Sequence, residues 1–147
     1  MATTYSGPAP KHLWIVGILS LLWNCVGAVD YVMSETGNIA WFEMMGLGQE
    51  EMAFVQSFPT WAVAVWAIGV WGSVAGSILL LMRSRHAVTA FMLSAIGAAI
   101  SFAYQFSIDK PASMEGAGGA VTPIAIMILI VLQWYYARRQ AAAGVLR

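Results

Sequence analysis

Residues 59–108 read PTWAVAVWAIGVWGSVAGSILLLM, then RSRH, then AVTAFMLSAIGAAISFAYQFSI. Two uncharged runs, Pro59–Met82 and Ala87–Ile108, flank a link that carries Arg83 and Arg85. At ~1.5 Å rise per residue, either run makes a helix able to cross a hydrocarbon layer about 30 Å thick. A polar link this short between such runs makes a helical hairpin. Its basic bend then lies at one membrane face.

Working outward, two more runs fit the same template. Leu13–Met33 is uncharged until Asp30, and Val121–Ala137 follows an uncharged lead, Gly116–Ala120. Pro59 and Pro123 read as openers of the second and fourth spans, since a first turn tolerates the missing N–H. No alternation of apolar and polar residues competes with helix. The expected fold is therefore all-α, an integral membrane four-helix bundle forming one transmembrane domain.

Composition agrees. Of 147 residues 60% are hydrophobic and 10% charged, whereas a soluble domain carries about a quarter charged residues. Intrinsic disorder is excluded by the same apolar richness. Seven Lys and Arg against seven Asp and Glu leave no basic excess for phosphates, so nucleic acid is not an expected partner. A single cysteine, Cys25, excludes an intrachain disulfide and a cysteine-based zinc site.

Charge is sorted by side. Lys11, Arg83, Arg85, Arg138, Arg139 and Arg147 flank the spans at one end, and only Lys110 lies at the other. Asp30, Glu35, Glu43, Glu50, Glu51, Asp109 and Glu115 all fall in or beside the first and third connections. Basic flanks stay cytoplasmic, so both termini are expected inside a bacterial inner membrane. A signal-peptide reading of residues 11–28 is weaker, because apolar character continues past Ala28. Met1–Pro10 and Ala141–Arg147 read as loose ends. In the first outer connection, Gln49-Glu50-Glu51 before Met52, Phe54 and Val55 predicts a short interfacial helix. Asp109–Ala120, rich in Gly, Ser and Pro, reads as a flexible loop.

Lipid gives helices no hydrophobic reason to associate, so small residues mark the contact faces. Gly69, Gly72 and Gly76 stripe the second span. Gly97 and Ser101 lie on one face of the third with Ser94, Tyr104, Gln105 and Ile108. Gly27 is bracketed on the wheel by Asn24 and Asp30. The fourth span has one interior polar residue, Gln133, and reads as peripheral, ending in the aromatic belt Trp134-Tyr135-Tyr136.

Polar residues inside a membrane are costly and face protein or water. Asn24 falls near mid-span and Asp30 lies ~9 Å further out. With Tyr31, Tyr104 and Gln105 they define a candidate polar pocket opening outward, either a solute or proton site or a structural hydrogen-bond network. Trp23 and Trp71 lie near span centres, where indoles more often fill a core than stack on a ligand. His12 and His86 read as interfacial, and no metal site, cofactor or catalytic residue is named by the sequence.

Trp23-Asn24-Cys25-Val26-Gly27-Ala28-Val29-Asp30-Tyr31, Phe58-Pro59-Thr60-Trp61 and Ala67-Ile68-Gly69-Val70-Trp71-Gly72 with Gly76-Ser77 carry a likeness. The chain resembles small four-span proteobacterial inner-membrane proteins that bear the label "sugar transporter". The likeness spans about residues 12–108 and weakens in the fourth span. It implies four spans and solute transport, and brings no site residue with it. Two functions are expected in competition. One is a small-solute carrier or binding unit, working as a homo-oligomer. The other is a non-catalytic accessory or assembly subunit of a larger membrane complex.

Overall fold

Each uncharged run forms one long helix in the computed structural model, which describes residues 7–147. The expected loose lead lies, for residues 1–6, outside the described residues. The long helices are α1 (Lys11–Glu35), α4 (Thr60–Leu81), α5 (His86–Ser107) and α6 (Gly116–Ala142). All four are long and apolar enough to cross a membrane, the architecture of a multi-pass membrane protein. Two short helices, α2 (Ile39–Met44) and α3 (Gln49–Gln56), fill the connection between the first two long helices, where one was expected. No strand occurs among the described residues.

Helix contacts run in the order α1–α4–α5–α6, with α4–α5 the most extensive. Gly69 backs onto the Ala98 backbone, Gly72 onto Ser94 and Gly76 onto the Phe91 ring, while Gly97 meets Gly69 and Val65. A Cβ on Gly97 would lie 2.8 Å from both Gly69 N and Val65 O. Glycine therefore sets the α4–α5 spacing, and the buried Ser94 and Ser101 share that face. The Ser94 hydroxyl donates across it to the Gly69 carbonyl.

Gly27 behaves differently. It is exposed, with nothing near where its Cβ would be, so it is not a packing residue within this chain. The inward stripe of α1 is Leu13, Gly17, Ser20, Asn24 and Ala28, spaced by three and four as a helix requires. Gly17, not Gly27, gives way to a neighbour, the Leu81 side chain.

Side chains are sorted by depth. At the basic end Leu13, Leu80, Ala87, Phe91, Ala137, Val145 and Leu146 form an apolar core. Small residues fill the middle, and rings fill the acidic end.

Three expectations need correction here. Ala141–Arg147 is not frayed. Gly144 adopts φ 72° and turns the chain back, burying Val145 and Leu146. Arg147 N donates to Arg83 O at 2.7 Å and Arg85 N to Arg147 O at 2.9 Å, clasping the tail to the α4–α5 turn. Arg83 holds φ 59°, a left-handed position usually given to glycine, and its Nε donates to Val145 O at 3.1 Å. Second, Pro123 does not open α6 but sits inside it, leaving the Gly119 carbonyl without its helical N–H donor. Third, Asp109–Ala120 is not all loop. It holds a 3-10 turn at Ala112–Met114, and α6 begins at Gly116.

Candidate functional site

The five residues of the expected outer pocket do not meet in one place. Asn24 is buried at mid-bundle, where its Nδ2 faces Ser77 Oγ at 2.9 Å, Gln133 Oε1 at 3.1 Å and Ser73 O at 3.1 Å. Two amide hydrogens shared among these acceptors bind α1, α4 and α6 together. Asp30 turns instead to the connection between α1 and α4, where its Oδ1 accepts from Trp41 Nε1 at 2.8 Å. That bond docks α2 against α1. Gln105 donates to Ser101 Oγ one turn back, at 3.1 Å.

Tyr31 and Tyr104 belong to an aromatic cluster. The Tyr31 ring meets Trp66 edge-on at 4.9 Å between centroids, and Trp66 lies 6.5 Å from Phe58. Phe58 meets Tyr104 at 5.5 Å, and Tyr104 meets Trp61 at 4.9 Å. Edge-to-face geometry is the favoured arrangement for such rings. The cluster therefore packs α1, α4 and α5 together at the acidic end.

Below α2 and α3 a polar clamp closes this end. Glu51 accepts from Gly48 N at 2.7 Å and from the Ser113 hydroxyl, tying the α1–α4 connection to the α5–α6 connection. These bonds, Ser113 first and Gly48 next, hold the Glu51 carboxyl below its ordinary range because they favour the charged form.

Trp23 and Trp71 do not fill the core. They are 45% and 47% exposed at mid-helix, facing out of the bundle. Among the described residues no three His, Cys, Asp or Glu side chains come together as a metal-holding group.

A cleft lies elsewhere, between α1 and α6 toward the basic end, with a volume of about 630 Å³. Side chains tie these helices at two points: Asn24 to Gln133, and His12 Nδ1 to Tyr136 Oη at 2.5 Å. The α1 residues on the cleft wall, Val16, Leu19 and Ser20, lie in the chain between those ties. Leu129, Leu132 and Gln133 form the facing wall, and Arg139 and Gln140 lie toward the rim. The walls are mostly apolar, with Ser20 and Gln133 as polar residues between the helices and Tyr135, Tyr136, Arg139 and Gln140 toward the basic end. Neither the Ser20 hydroxyl nor the Gln133 amide nitrogen has a hydrogen-bond partner among the described residues, and both atoms are accessible, whereas the enclosed side-chain atoms without a partner are Arg83 Nη2 and Trp134 Nε1.

Sequence reasoning missed this site because Ser20 was not singled out and Gln133 was read as the lone polar residue of a peripheral span. The available signal was that an uncharged polar residue in each apolar helix wants a partner in lipid. No protein-family model, curated protein or solved structure matches the chain.

Proposed function

We propose that the protein is a non-enzymatic inner-membrane binding unit of a bacterium, with both termini cytoplasmic and a ligand site reached sideways through the α1–α6 cleft. One observation carries this reading: an apolar cleft between α1 and α6 that carries two accessible donors without a protein partner, the Ser20 hydroxyl and the Gln133 amide nitrogen. Both groups are free to donate to an acceptor on a ligand that enters the cleft. The sidedness rests on Arg83, Arg85, Arg138 and Arg139 clustering at one end. A sugar-like solute at the outer end has less support, since Asp30 is engaged by Trp41 and the two tyrosines by neighbouring rings.

Leu19 stands exposed on the cleft wall, so Leu19→Trp narrows the cleft without touching the core. The test compares small molecules retained by the parent and by L19W after purification in mild detergent. A lipophilic molecule bound to the parent and lost from L19W is the expected result. Identical retention in both overturns the reading.

A second reading, an accessory subunit of a larger complex, draws on Trp23 and Trp71. An indole N–H facing hydrocarbon wants an acceptor, and a partner helix would supply one. Changes at Trp23 and Trp71 that release a defined partner from the solubilised protein would favour it.

A further inference from the structure

Resting on the binding-unit reading, we infer that the α1–α6 cleft takes an anionic phospholipid. The cleft joins apolar walls to a cation at its basic rim. Val16, Leu19, Leu129 and Leu132 offer an apolar surface for an acyl chain on either side of the donors. Ser20 and Gln133 offer an O–H and an N–H donor to the glycerol ester carbonyls, acceptors that a plain hydrocarbon lacks. Arg139 lies toward the basic rim, about 9 Å along α6 from Gln133 at the rise of a helix. Its guanidinium already lies beside the Tyr135 ring, 5.9 Å from the centroid, which holds the cation at the cleft.

Charge complementarity fixes the head group as anionic. Every acidic side chain belongs to the opposite end of the bundle, so none competes for Arg139. Arg138 and Lys11 add positive charge to the same end. A guanidinium meets a phosphate through paired N–H donors, and a zwitterionic head group adds a cation that this basic rim repels.

Native mass spectrometry of the purified full chain reads this directly. The probes are dilauroyl phosphatidylglycerol, dilauroyl phosphatidylcholine and glycerol 3-phosphate, against the parent, Arg139→Gln and Leu19→Trp. Both positions are exposed, so neither change disturbs the core. The parent is expected to retain phosphatidylglycerol at about five- to tenfold lower concentration than phosphatidylcholine, the effect of one cation near a lipid phosphate. R139Q is expected to bring the two lipids level, and L19W to weaken both. Equal retention of the two lipids by the parent, with L19W still weakening both, overturns the anionic lipid while leaving the cleft as a binding site. No effect of L19W on any probe overturns the cleft itself. Binding of glycerol 3-phosphate as tight as that of the intact lipid assigns the rim to a free phosphate and overturns the lipid.

Discussion

Asn24 on α1 and Gln133 on α6, 109 positions apart in the chain, meet through a hydrogen bond of 3.1 Å. Both side chains are buried, and the same Asn24 amide also holds Ser77 of α4. This node ties α6, otherwise packed on α5, to α1 across the cleft between them.

Asn24→Leu and Gln133→Leu are therefore predicted to be coupled. A double-mutant cycle of unfolding in mixed detergent micelles is expected to give an interaction of about 0.5–1.5 kcal/mol, the range for bonds between membrane helices. Strict additivity of the two changes would remove the node from the account.

Two glycines give opposite predictions. Gly97→Ala drives a methyl group into the Gly69 and Val65 backbone and is expected to cost about 1–3 kcal/mol. Gly27→Ala meets nothing and is expected within about 0.5 kcal/mol of the parent. Thermal unfolding monitored by circular dichroism ranks the pair, and a larger loss at Gly27 contradicts the packing described.

The clasped tail is testable by truncating one side chain. Leu146 is 2% exposed in the core at the basic end, so Leu146→Ala is expected to cost about 2–3 kcal/mol. It is also expected to speed carboxypeptidase release of the last residues. A frayed tail would leave both measurements unchanged.

Acid is predicted to loosen the outer clamp. The Glu51 carboxyl is lowered in the folded chain, so its contribution is complete above the ordinary glutamate range. That contribution is lost as pH falls through the lowered folded value. Hydrogen exchange at Gly48 should therefore quicken in acid for the parent, whereas Glu51→Gln should show weaker protection already at neutral pH and little further acid response. An equal acid response in both proteins would assign the effect to another group.

Much of the fold was legible because lipid imposes a simple grammar of long uncharged runs with charged ends. The α4–α5 face was legible for the same reason, since Gly69, Gly72, Gly76 and Gly97 repeat at helical spacing. Gly27 misled because its placement assumed that Asn24 and Asp30 face the same way. Asp30 is recruited by Trp41 from a connection whose path no periodicity records. Pairings such as Asn24 with Gln133, or Arg83 with Val145, depend on how distant segments fold back on each other. The tail was misread because Val145 and Leu146 are too few to form a pattern, although their burial against Leu80 and Phe91 is a tertiary fact.

The arrangement of the bundle across the bilayer is tested most directly by single-cysteine labelling in intact cells. With Cys25 replaced by serine, Gln49→Cys reports the acidic end and Ser84→Cys the bend between α4 and α5. A membrane-impermeant maleimide is predicted to modify Q49C in intact cells and S84C only after lysis. Modification of both positions from the same side contradicts the account.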